Sequence, residues 1–244
     1  MLYSEILFYI LLLLVAFLYA TVGHGGASGY LALMAFFSFA PETMRPSALL
    51  LNIFVSAIAF IQYYRCGYFS WKLFWPFAMA SVPAAFIGGL ITVDEGIYKK
   101  ILAILLLFSV VKLLELPVGA GTDKKAQNLT VSVFIGSAIG LFSGMIGIGG
   151  GIILSPVILL LHWADMKQTA AVSALFIFVN SVAGLSGLFA KGIHFNTTMI
   201  LMLAVAFAGG LAGAYFGAAK YNSAKLKYLL SVVLIIASIK LLFT

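Results

Sequence analysis

The residues able to do chemistry in this chain are few, and most of them sit in or beside two glycine clusters. From Gly23 the sequence reads Gly-His-Gly-Gly-Ala-Ser, ending at Ser28, and from Gly147 it reads Gly-Ile-Gly-Gly-Gly, ending at Gly151. Each cluster precedes a short apolar stretch. A helix starting after Gly25-Gly26, or after Gly149-Gly150-Gly151, would aim its free N–H groups and positive dipole end at the turn, which is what an anion site requires. For any one of these glycines taken alone, close helix packing is the competing explanation. His24 is the one titratable group inside a glycine turn, so it could exchange a proton or pair with an anion, or serve as a structural hydrogen-bonder. Asn52 and Asn180 are amides deep within apolar runs, with Ser56, Ser173 and Ser181 nearby; such groups either bond across helices or hold a substrate.

What is missing narrows the chemistry further. No Asp or Glu lies within an apolar run, whereas cation-driven carriers place carboxylates there, so a cation substrate is disfavoured. A divalent-metal permease would need clustered ligands, and the membrane portion offers one histidine. Arg45 follows the first short apolar stretch, where it would either face a vestibule and attract anions or snorkel at the interface. The run Gly184-Leu185-Ser186-Gly187 fits the G-x-S-G pattern of intramembrane serine proteases. The base is missing, since the nearest histidine, His194, lies eight residues on in a loop. The expectation is therefore that the protein is not an enzyme and has no cofactor, no spacing for haem, flavin, nucleotide or metal being present. His162 and His194 fall near helix ends, and the lone Cys66 receives no role.

The elements that would position these residues follow from composition. Hydrophobic residues make up 64% of the 244 and charged residues 9%, far from the roughly 45–50% and 25% of soluble domains. The charges gather in or beside gaps between apolar runs such as 6–22, 47–64, 73–93, 129–148 and 168–190. These runs approach or exceed the ~20 residues of a membrane helix and lack the alternation of barrel strands. The net charge of +7 is scattered over short loops, which suits orientation in a membrane and not a nucleic-acid surface. No basic n-region precedes the first run, so the first helix is expected to stay. Trp71, Trp75 and Trp163 fit an interfacial belt, and Pro76, Pro83 and Pro156 local kinks.

The two halves repeat one another. VGHGGASGYLALMAFF from Val22 pairs with IGIGGGIILSPVILLL from Ile146, and YKKILAILLLFSVVKLL from Tyr98 with LKYLLSVVLIIASIKLL from Leu226. Asn52 then falls on Asn180, and Gly88-Gly89 on Gly209-Gly210 after a gap. The reading is an all-α polytopic membrane protein with a first repeat over 1–116, a connecting loop over 117–128 and a second repeat over 129–244. Residues 6–40 as one helix would reach about 50 Å, beyond the ~30 Å hydrocarbon core, so the chain must turn back at 23–26. Each half then holds five apolar segments, an odd number that inverts the second half. About eight to ten segments are expected in all. Ten crossings divide the basic residues unevenly and eight divide them evenly, so the positive-inside rule favours ten. Both termini would lie outside, with Arg65, Lys72, Lys124, Lys125, Lys167, Lys220, Lys225 and Lys227 in the cytoplasm.

The second motif, Gly147 to Pro156 as G-I-G-G-G-I-I-L-S-P, and its counterpart VGHGGASGYLA resemble the TauE/SafE sulfite-exporter family over nearly the whole chain. The first half departs at His24 and Ala27, which resembles one subgroup. The resemblance implies an inner-membrane permease that exports sulfite or a related sulfur-containing anion, coupled to an ion gradient. Of the expected substrate-binding residues, Gly23, Gly25, Gly26, Gly147, Gly149, Gly150 and Gly151 carry over from the motif, and His24, Ser28, Asn52 and Asn180 join them by the placement described above. The expected partners are a small anion, a coupling proton and the lipid bilayer, without nucleic acid; exposed glycine and aromatic faces would permit a homodimer. An uncoupled, channel-like anion pathway is the alternative, and an intramembrane hydrolase a remoter one.

Overall fold

The computed structural model describes residues 2–21, 25–115, 125–193, 196–217, and residues 235, 238 and 239. Gly23, His24, His194, most of the connecting loop and most of the last apolar segment lie outside the described residues. Among those described, the fold is all-helical: α1 (Leu2–Thr21), α2 (Ala27–Phe36), α3 (Pro41–Arg65), α4 (Trp71–Leu90), α5 (Glu95–Glu115), α6 (Leu129–Ile146), α7 (Gly151–Leu160), α8 (Met166–Ala190) and α9 (Thr197–Gly217). Five of them, α1, α3, α4, α6 and α8, are long and apolar enough to cross a membrane, while α2, α7 and the apolar part of α9 are shorter.

Two kinds of helix start can be distinguished. Several helices that begin at the rim are capped by side chains: Ser70 accepts from Leu73 N, Asn128 from Val131 N and Asp165 from Gln168 N. α2 and α7 are instead preceded by Gly26 and Gly150 in left-handed conformation, φ 86° and 78°. Glycine tolerates that backbone but offers no side chain to cap the first turn.

Both glycine breaks are hairpins. Phe8 near the start of α1 packs on Phe37 and Phe39 beyond the end of α2, with ring centroids 5.3 and 5.0 Å away, while Tyr19 near the end of α1 meets Ser28. α2 therefore runs back along α1, as the length argument requires. α7 likewise reverses the direction of α6, packing on α8 through Ser155 and Ser173: Gly150 at its start lies against Ile139, and His162 O beyond its end accepts from Lys125 N before α6 starts.

Glycines set the packing between helices. Along α6, Gly136, Gly140 and Gly144 face the backbone of Phe77, Ser81 and Ala85 in turn, leaving no space for a Cβ. The stripe advances four residues at a time on both helices, so α6 and α4 run parallel in close contact. Gly209 and Gly213 of α9 meet the Leu13 and Phe17 carbonyls of α1 in the same manner. Gly88 faces α6 and Gly89 faces α8, whereas Gly209 faces α1 and Gly210 faces Val55 of α3. The two glycine pairs thus make corresponding contacts from opposite halves. Gly184 and Gly187 of the protease-like run also serve this packing, against α6 and α4, and Ser186 Oγ donates to Val182 O of its own helix.

Arg45 differs from both expectations made for it. Because α3 begins at Pro41, Arg45 falls inside the helix, 8% exposed. Its Nη2 donates to Gly144 O at 2.9 Å and Gly88 O at 3.3 Å, and Nη1 to Ile91 O at 3.2 Å. The guanidinium neither faces a vestibule nor snorkels; it caps the carbonyl-rich C-terminal ends of α4 and α6, where a cation is favoured.

Candidate functional site

The two breaks meet at the middle of the long helices. Asn52 lies near the centre of α3, Ile177 and Asn180 near the centre of α8. A Cβ placed on Gly25 would lie 2.9 Å from Ile177 Cγ2 and 3.1 Å from Asn52 Oδ1. One placed on Gly149 would lie 2.6 Å from Asn52 Nδ2, 2.9 Å from Ile177 Cγ2 and 3.1 Å from Ser181 Oγ. Gly25 and Gly149, one from each break, therefore abut the same two side chains. Gly151 abuts Ile177 as well.

The polar atoms here are buried and only partly satisfied. Asn52 is fully buried, and its Nδ2 donates to the Ile148 carbonyl at 3.2 Å, tying α3 to the second break. Asn52 Oδ1 and Ser181 Oγ have no hydrogen-bond partner among the described residues. Unpaired buried polar atoms cost about 1–3 kcal/mol each and are rare enough to need a reason. Of the first-turn amides of α2 and α7, which Gly26 and Gly150 cannot cap, that of Gly29 meets the Tyr19 hydroxyl and that of Ile153 bonds Gly150 O, so the added donors are those of Ala27, Ser28, Gly151 and Ile152.

The other expected residues are distributed around this centre. Asn180 is fully buried one turn from Phe176, whose carbonyl its Nδ2 reaches at 2.8 Å; its Oδ1 has no partner among the described residues. Ser28 shares a 2.8 Å hydrogen bond with Tyr19 of α1, which fastens the first hairpin. Gly26 packs on the Tyr30 ring, Gly150 on Ile139 and Phe176, and Gly147, at φ 90°, lies against the Arg45 backbone while its N–H caps Ser143 O. These three form the walls of the turns, their nearest neighbours being other residues than Asn52. Ser56 donates to Asn52 O, and Ser155 to Ser173 across α7 and α8. Gly23 and His24 lie outside the described residues. Sequence reasoning missed Ile177, which carries no mark distinguishing it from its apolar neighbours, and left Ser181 out of the site although it adjoins Asn180.

Such an arrangement can hold a small oxyanion through backbone N–H groups and neutral amides, with no carboxylate among the described neighbours of Gly25 and Gly149 to repel it. Comparison with known proteins agrees with transport. Residues 8–241 match the family described as Sulfite exporter TauE/SafE. A protein of Sinorhizobium fredii named "Probable membrane transporter protein y4hK" is 36% identical over 233 residues, 94% of each chain. A second, "Probable membrane transporter protein MamO" of Magnetospirillum gryphiswaldense, is 34% identical over 93 residues, 35% of this chain and 15% of that protein. No solved structure matches significantly.

Proposed function

Since the chain belongs to the TauE/SafE family of membrane transporters, we propose that it carries sulfite or a related sulfur-containing oxyanion, bound where the two glycine breaks meet, by alternating access. The observation behind this reading is that Gly25 and Gly149 share Asn52 and Ile177 as neighbours. Each break contributes a helix start, and an oxyanion between them would accept from both sets of amides and from Asn52 Nδ2 or Ser181 Oγ. A protonated oxyanion could also donate to Asn52 Oδ1, which gives the unpaired atoms of the site a use.

Alternating access needs two bodies that rock about a fixed centre. The halves divided near residues 117–128 supply them in this reading, as inverted repeats: α4 runs with α6 and α9 with α1, so each half is gripped by the other through corresponding glycines. Ile177, wedged between the breaks, argues against a standing pore and so against the uncoupled pathway. In the same reading the site is lined for an anion and His24 supplies the coupling proton.

The test is uptake of radiolabelled sulfite by proteoliposomes containing the purified protein, with and without an imposed pH gradient. Flux that follows the pH gradient supports coupled transport, and H24Q should then leave sulfite-driven flux but remove its response to pH. Flux that ignores the gradient would return the channel-like pathway to first place. Absence of flux above empty liposomes would exclude sulfite as cargo and leave the membership of the family untouched.

A further inference from the structure

Away from the breaks, α4 and α8 enclose a groove of about 540 Å³ between them. Its walls include Phe74, Trp75, Met79, Pro83, Phe178 and Val182. Trp75 and Met79 are 53% and 66% exposed, so the groove opens outward, toward hydrocarbon in a membrane protein. The two helices meet backbone to backbone at Gly89, Gly184 and Gly187, and the groove opens on the N-terminal side of that contact, where large side chains replace glycine. Pro83 has no N–H for the Met79 carbonyl, which loosens α4 beside the groove.

The N-terminal end of the groove is basic and aromatic. α4 and α8 start on one side, because Lys167 Nζ donates to Tyr68 OH at 3.0 Å just ahead of α4 and lies 4.8 Å from the Tyr68 ring centroid. Lys72 precedes Trp75 by three residues and Met79 by seven, and Lys167 precedes Phe178 by eleven, so each lysine shares a helix face with part of the groove wall. Both are exposed. Trp71 stacks on Trp75 at 6.1 Å, a belt position at the membrane surface.

We propose that this groove is a binding site for an anionic phospholipid, with an acyl chain between α4 and α8 and the phosphate near Lys72 and Lys167. Charge complementarity selects this occupant. A second copy of the chain, related by a two-fold axis along the membrane normal, would bring lysine ends to the same surface, where they repel. A zwitterionic lipid would fill the groove but gain less from two cations and two positive helix starts. The assignment is independent of the transported cargo.

The experiment is quenching of tryptophan fluorescence in the detergent-purified protein by phospholipids brominated on their chains, phosphatidylglycerol against phosphatidylcholine. Phosphatidylglycerol should quench at lower concentration, and K72Q/K167Q should remove most of that preference, roughly tenfold. V182F, which fills the groove without adding a tryptophan and leaves the charges alone, should weaken quenching by both lipids. Equal quenching by the two lipids, or a preference that survives K72Q/K167Q, would overturn the proposal; so would quenching that falls with protein concentration as copies associate through this face.

Discussion

Gly25 and Gly149 abut the same Ile177 side chain, yet the same substitution should act differently at each. Gly25 has no left-handed backbone, so the obstacle to alanine there is steric: Ile177 Cγ2 at 2.9 Å and Asn52 Oδ1 at 3.1 Å. Overpacking of this kind costs about 1–3 kcal/mol, and G25A is expected to slow sulfite uptake roughly tenfold. I177A removes Cγ2 and leaves only Asn52 Oδ1 at 3.1 Å, so in an I177A background G25A should have a smaller effect than it has alone. Gly149 sits at φ 77°, and its Cβ would also meet Asn52 Nδ2 at 2.6 Å; the left-handed backbone adds about 1–2 kcal/mol for any other residue. G149A should therefore stay slow with or without Ile177. Initial uptake rates of the four-variant cycle at matched protein content decide this, and full additivity of G25A and I177A would remove Ile177 from the site. Asn52 gives a binding test that does not depend on coupling. Ligand at about 100 times its Kd stabilises a folded protein by about 2.7 kcal/mol, so sulfite should raise the Tm of the wild-type protein. N52L keeps the volume and loses both polar atoms, and sulfite should leave its Tm unmoved; a wild-type-sized shift in N52L would place the ligand elsewhere.

The helices are held together by what their glycines omit. A Cβ on Gly140 would run into the Ser81 backbone, which no rotamer change can relieve, so G140V must part α4 from α6 and is expected to lower the Tm by an amount equivalent to about 1–3 kcal/mol or more. Phe134 on the same helix is 77% exposed, and F134L should leave the Tm within error. Arg45 works at the same junction from α3. R45M would take the guanidinium donors from the Ile91 and Gly144 carbonyls, Gly88 O keeping Ile91 N–H, and abolish stable expression, while R45K, with its charge kept and its planar fork lost, should fold with a lowered Tm. Size-exclusion profiles and thermal unfolding of both variants check this; a stable R45M would mean that the cap is dispensable. The contrast between these glycines and Arg45 shows where the sequence was legible. Apolar runs and turns at glycine are local or periodic signals, and they anticipated the helices and the turn-backs at the glycine breaks. Arg45 was misread because its role depends on three carbonyls 43 to 99 residues away, and Ile177 was missed because an isoleucine in an apolar helix looks the same whether it faces lipid or a break. Composition reports what a residue is, and only packing reports what it touches.

The hydrogen bonds between loops sort the whole molecule into two sides. Lys125 bonds His162, and Lys167 bonds Tyr68, so the segments ahead of α4, α6 and α8 share one surface. Lys191 bonds Thr92, so the segments that follow α4 and α8 share the other; Phe8 against Phe39 brings the start of α1 to that second side with the end of α2. Arg65, Lys72, Lys125 and Lys167 all belong to the first surface, and the positive-inside rule would make it cytoplasmic. The same assignment would put the lysine end of the lipid groove in the leaflet that carries anionic lipid. Cys66 offers a direct test, because it is the one cysteine of the chain and is exposed on the first surface. In spheroplasts expressing the protein, a membrane-impermeant maleimide should fail to label Cys66 until the cells are permeabilised. In a C66S background, cysteine introduced at Asn196, beyond α8, should label from outside at once. Labelling of Cys66 in intact spheroplasts, together with protection at position 196, would invert the molecule in the membrane, place the basic surface outside and require the positive charges to serve something other than orientation.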